Sequence, residues 1–282
     1  MPCLSLQFRC WLIFVVVCFL MTTPAPALEA MANEPDEPTA KKGSYVGSQR
    51  SWFFISFLPG DDDLEKDDAE TLGLELESYI SVGNFSVKNI AYLEVADYPR
   101  PIPNQPVGNE FPGIEIKTGI NDLLTGFWVS KKGKHHGKHH LSWGAGFQFP
   151  TATTETLGSG KWSAGPSVDY EYESGRLFAG FIAMNLWSFA GDSDRKDVNF
   201  LMVKPFVVYS INDKWDALYM PYGISVYWEK PSGEDIYLPL GGGFQRHLGD
   251  SMNFSVQFFQ NVLRPTKGTK YDLRFMLEFV FH

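Results

Sequence analysis

Cysteine is almost missing from this chain. The three that occur, Cys3, Cys10 and Cys18, lie in or just before one apolar run at the N-terminus. The remaining sequence therefore holds no disulfide framework, no thiol nucleophile and no cysteine-held zinc. Long apolar runs are missing as well. The longest, Cys10–Met21, has 12 residues, short of the roughly 20 that carry a helix across a bilayer. Helical membrane proteins are excluded on that ground. Basic residues are few: 24 Lys and Arg face 33 Asp and Glu, for a net charge of −9. A nucleic-acid partner needs a basic surface, so none is expected.

The apolar run has the layout of a secretory leader. Arg9 is the one charge ahead of it, and Ala25-Pro26-Ala27 supplies small residues at the cleavage positions. Residues 1–27 are read as a signal peptide, with cleavage after Ala30 or Ala32 as alternatives. Removing 1–27 takes one base and no acid, leaving 23 against 33 and a net charge of −10. Cys18 as a lipid-attachment site is disfavoured, because Val15-Val16-Val17 lacks the small residue such a site needs. Residues 28–50 are polar, contain Pro and Gly, and have no periodicity. They read as a flexible periplasmic segment.

What fills the rest is alternation. From Ser51 onward, hydrophobic residues recur at every second position in segments near 51–58, 71–82, 85–95, 114–129, 140–150, 162–173, 176–190, 199–210, 216–228, 235–247, 251–262 and 270–281. A strand with one face in lipid and one in a lumen needs that period. The last segment is the clearest. Tyr271, Leu273, Phe275, Leu277, Phe279 and Phe281 share one face, while Asp272, Arg274, Met276, Glu278 and Val280 share the other. A one-residue slip would push Arg274 into hydrocarbon at roughly 2–4 kcal/mol. Segments 51–58 and 199–210 are apolar on both faces, as if they packed against an interior plug.

Connections alternate too. Gly83-Asn84, Ser174-Gly175, Ile211–Trp215 and Leu248–Asp250 are short, and the loops between them are mostly longer and polar. Ser130–His139 breaks the rule, being long on the short-turn side. The expected fold is an all-β transmembrane antiparallel up-and-down barrel of about 12 strands over residues 51–282, set in outer-membrane lipid. Its expected lumen-lining residues are Glu75, Glu77, Lys88, Glu94, Asp169, Glu171, Glu173, Asp272, Arg274 and Glu278. Such an acidic lumen, narrower than that of a 16-stranded porin, should disfavour anions.

One stretch is more specific than periodicity. Residues 143–166 read WGAGFQFPTATTETLGSGKWSAGP and residues 185–199 read NLWSFAGDSDRKDVN. From about residue 113 onward the chain resembles the bacterial outer-membrane family named for the MetA pathway of phenol degradation. The matches include Trp143, Gly144, Gly146, Pro150–Thr153, Leu157–Trp162, Ala164–Pro166, Trp187, Ser188, Ala190–Asp192, Arg195 and Asp197–Asn199. Gly119-Ile120-Asn121-Asp122 stands where that family has a G-x-G-D turn. Phe149 replaces the usual Leu, and Phe147 follows Gly146 without the family's Pro. The resemblance implies an outer-membrane channel for small solutes, aromatic or hydrophobic ones among them. No cofactor is expected.

Three further groupings carry candidate chemistry. Lys161, Asp192, Asp194, Arg195 and Asp197 lie in the loops flanking the sixth and seventh segments and could form a polar gate, or else interlock the loops through Arg–carboxylate pairs. Lys131–His140 holds His135, His136, His139 and His140, where paired imidazoles could take a metal, although lysines interleave every pair. A barrel hydrolase would need His247, which has no orienting carboxylate nearby in sequence. A channel for a small-molecule solute is the leading reading, ahead of a closed structural or partner-binding barrel and of a hydrolase.

Overall fold

The alternating segments form strands that pair with their neighbours in sequence. The computed structural model describes residues 49–58, 69–101, 114–131, 138–155, 157–233, 235–265 and 269–281. The leader and most of the polar segment after it lie outside the described residues. The strands are β1 (Gln49–Leu58), β2 (Ala69–Val82), β3 (Phe85–Pro101), β4 (Ile114–Ile120), β5 (Leu123–Lys131), β6 (His139–Phe149) and β7 (Lys161–Ser174). They continue as β8 (Leu177–Gly191), β9 (Asn199–Asn212), β10 (Trp215–Tyr219), β11 (Ile224–Tyr227), β12 (Ile236–His247), β13 (Met252–Leu263) and β14 (Tyr271–Phe281).

Every pairing is antiparallel, and β14 pairs with β1 from Gln49↔Phe281 to Phe57↔Leu273, which closes the sheet into a barrel. Two wall strands are interrupted. β4 and β5 both pair with β3 and are separated by Asn121-Asp122. β10 and β11 lie between β9 and β12, separated by Met220–Gly223. Counted as wall strands, the 14 elements make 12. The tight turns Gly83-Asn84 and Gly175-Arg176 place their glycines at φ 55° and 59°, the left-handed region that two-residue hairpin loops require.

The two faces of the wall divide as the alternation demands. On β14, Asp272, Arg274, Met276, Glu278 and Val280 are buried inside, and Phe281 is exposed. The outer wall exposes Trp143, Trp162, Phe181, Trp187, Phe189, Phe244 and Phe258, the apolar and aromatic surface of a lipid-facing barrel.

The strands that are apolar on both faces are explained from inside. Trp52 and Phe54 of β1 pack on Met276, and Met202 of β9 joins Ile90, Tyr92, Trp128, Ile182, Met184 and Leu186. Side chains from the wall therefore fill much of the space a plug would occupy. β1 also starts two residues before the expected boundary, because Arg50 turns inward and pairs with Glu278.

Candidate functional site in the barrel interior

Charge is layered inside the barrel. At the short-turn end Lys88 of β3 sits among three carboxylates: Glu171 at 2.5 Å, Asp169 at 3.0 Å and Glu77 at 3.8 Å. Beside that cluster runs a second set. Arg50 pairs with Glu278, whose other oxygen accepts from Asn253 Nδ2 at 2.7 Å. Asn253 Oδ1 lies 2.8 Å from His247 Nδ1, and His247 Nε2 lies 3.0 Å from Asp216 Oδ2. Gln245 donates to the same Asp216 oxygen at 3.3 Å. Midway along the axis Lys204 of β9 reaches Glu75 at 2.5 Å and lies 4.6 Å from the ring centre of Tyr92.

Nearer the loop end the basic group is Arg274. It pairs with Asp272, donates to Ser56 Oγ at 3.1 Å and reaches the Met220 carbonyl at 3.4 Å. Its guanidinium carbon lies 5.4, 5.7 and 5.9 Å from the rings of Phe54, Tyr222 and Phe259, within cation–π range. Glu94 accepts from Asn121 at 2.9 Å and from the Tyr222 hydroxyl at 3.4 Å.

Between the lower layers lies a cavity of about 50 Å³ walled by Arg50, Glu75, Glu77, Lys88, Glu171, Lys204 and Glu278, with Trp52, Ile90 and Phe206 among its apolar neighbours. That is room for water rather than for a sugar-sized molecule.

The expected lumen residues thus occupy these layers, Glu173 being half-buried near the turn end. Four interior groups were not singled out in the sequence: Arg50, Lys204, Asp216 and Gln245. Lys204 shares parity with the inward Met202 and Phe206 and could have been found that way. Arg50 stood outside the expected strand. Asp216 and Gln245 come from facing strands, and nothing local marks them.

At the loop end, the residues expected to interlock do meet, with a different set of bonds. Lys161 lies 3.1 Å from Asp197, and Ser188 also donates to that carboxylate at 3.1 Å. The hydrogen bond from Lys161, then that from Ser188, holds the Asp197 carboxyl below its ordinary range. Arg195 donates to the Gly158 carbonyl rather than to a carboxylate. Asp192 accepts from the Asp194 amide at 2.9 Å. The organising acid is Asp122, which accepts from the Ser159 amide and hydroxyl, the Ala152 amide and Gln148 at 2.7–3.1 Å.

Of the histidine tract, His139 lies 2.8 Å from the Tyr170 hydroxyl and against Tyr172. His135 and His136 lie outside the described residues. Among the described residues no group of three metal-ligating side chains occurs.

No protein-family model and no curated protein matches the chain. Solved structures do. An outer membrane channel from Pseudomonas putida F1 superposes with a TM-score of 0.60 at 11% identity, over 88% of this chain and 100% of that one. The fold is that of an outer-membrane β-barrel. The NanC porin reaches a TM-score of 0.48 at 10% identity, over 83% of this chain and 99% of the porin, and adds nothing to that assignment. The closed wall and its lipid-facing aromatic surface put the protein in the outer membrane.

Proposed function

We propose that the barrel conducts a small solute across the outer membrane and favours neutral or cationic molecules over anions. The supporting observation is the chemistry of the interior. Among the described residues, inward carboxylates (Glu75, Glu77, Glu94, Asp169, Glu171, Asp216, Asp272 and Glu278 among them) outnumber inward bases (Arg50, Lys88, Lys204, Arg274). Burying charge costs several kcal/mol per ion even when paired, so a barrel needing only stability would fill its core with apolar side chains. One oxygen each of Asp169 and Asp272 is buried without a protein hydrogen bond, a further cost to stability. Rings at the Arg274 level (Phe54, Tyr222, Phe259) suit an aromatic or apolar solute, the class implied by the resemblance to the phenol-degradation family. Residues 1–27 act in this reading as the export signal, with the polar segment up to the start of β1 in the periplasm.

Catalysis is not part of this reading. Both ring nitrogens of His247 are engaged, by Asp216 and by Asn253, which leaves neither to activate a serine. A closed structural barrel has one observation in its favour, the side chains filling the interior. Planar bilayers separate the two. The channel gives discrete conductance steps and, in a KCl gradient, a reversal potential of cation-selective sign. Purified, folded protein that is silent at every voltage, in wild type and in lumen variants such as Tyr222→Ala alike, removes the channel.

A further inference from the structure

The wall has a gap, and prolines write it into the sequence. Between β9 and β12 the ladder stops at Tyr219↔Val207 and Leu218↔Gly243 and resumes at Ile224↔Val203 and Ser225↔Tyr237. Residues 204–206 of β9 and 238–242 of β12 therefore have no strand partner on that side. Pro205, Pro221 and Pro239 all fall within the interval. Asn199 accepts from the Trp228 amide and the Ser210 amide donates to Arg176 on the opposite side, so odd-numbered residues of β9 turn their peptide groups toward β10 and β11. Pro205 thus offers the gap no N–H. Pro239 offers none either, since its carbonyl faces the gap and accepts from the Tyr219 hydroxyl at 3.0 Å. A strand cannot pair across positions with no donors.

The displaced chain goes inward. The Met220 amide donates to Gln257 Oε1 at 3.2 Å, and the Met220 carbonyl accepts from Arg274; both partners point into the lumen from β13 and β14. Pro221 is fully buried. Tyr222 crosses to the far wall, where its ring packs 6.5 Å from Phe54 and its hydroxyl reaches Glu94 of β3. Backbone polar groups taken from the ladder must find new partners, and here lumen side chains supply them.

We propose that Met220–Gly223 is the constriction element of the pore, a piece of wall strand excluded by proline and pinned across the lumen by Arg274, Gln257 and Glu94. It sets the largest solute that passes. This rests on the channel reading.

The test is single-channel recording and polymer exclusion on the full chain, comparing wild type with Tyr222→Ala, Gln257→Ala and Arg274→Ala. Barrel folding is checked in each by heat-modifiable gel mobility. Tyr222 is 44% exposed, so Tyr222→Ala keeps the test valid should Arg274→Ala not fold. Conductance severalfold above wild type, with admission of larger polymers, is expected from Tyr222→Ala, while Phe189→Leu on the outer wall changes nothing. A silent wild type with a conducting Tyr222→Ala supports the element as a closed gate. Folded variants that conduct as wild type does and exclude the same polymers overturn the constriction and leave the channel standing. Silence from wild type and every folded variant overturns both.

Discussion

Lys88 is an electrostatic hub of the lower lumen, because Glu77, Asp169 and Glu171 converge on it in a buried site. Removing one member of a buried charge group leaves its partners uncompensated, which typically costs about 3–5 kcal/mol. Lys88→Met is expected to lower the unfolding free energy of the refolded barrel, measured in urea, by that order, and Lys88→Arg to keep most of it. Asp197 is the opposite case, an exposed carboxylate at the rim. Its lysine partner holds its pKa below the ordinary 3.8. A depressed folded pKa means that the rim contact is present at neutral pH and is lost only as pH falls through the lowered value. NMR titration of Asp197 should therefore give a midpoint below 3.8, rising toward it in Lys161→Met.

Strands were the most legible elements. The parity of β14 placed Asp272, Arg274 and Glu278 inside on pattern alone, since the alternative would put charge in lipid. Alternation could not mark where a strand stops being a strand. The ninth segment reads as one run across 216–228, yet the ladder breaks at Met220–Gly223 because Pro205 and Pro239, on other strands, deny it donors. Gly241 has the parity of Pro239 and no partner on that side. Its amide should exchange with solvent faster than that of Gly243, which is opposite Leu218. Equal protection at the two would contradict the gap. The rim lock around Asp122 was half-visible: the Gly119–Asp122 turn was marked, but its role in gathering Ser159, Ala152 and Gln148 depends on a loop roughly 30 residues away in sequence.

At the scale of the whole molecule, closure is the defining event. β14 pairs along nearly its full length with both β1 and β13, so it joins the first and last strands of the wall and removes the last sheet edge. Truncation before Tyr271 is expected to abolish the heat-modifiable folded form, whereas shortening the loop before β14 should leave it intact.

Periodicity was enough to give the all-β class, the sidedness of most connections and the inward face of most strands, because a period of two in a lipid-bounded wall admits one register. Which charges meet, and where a wall strand folds inward, depended on the three-dimensional pairing. Pairs such as Lys204 with Glu75 and Lys88 with Glu171 join residues more than 80 positions apart across the barrel, and local pattern carries no information about such partners. The inward fold at Met220–Gly223 arises the same way, from donors missing on two neighbouring strands at once.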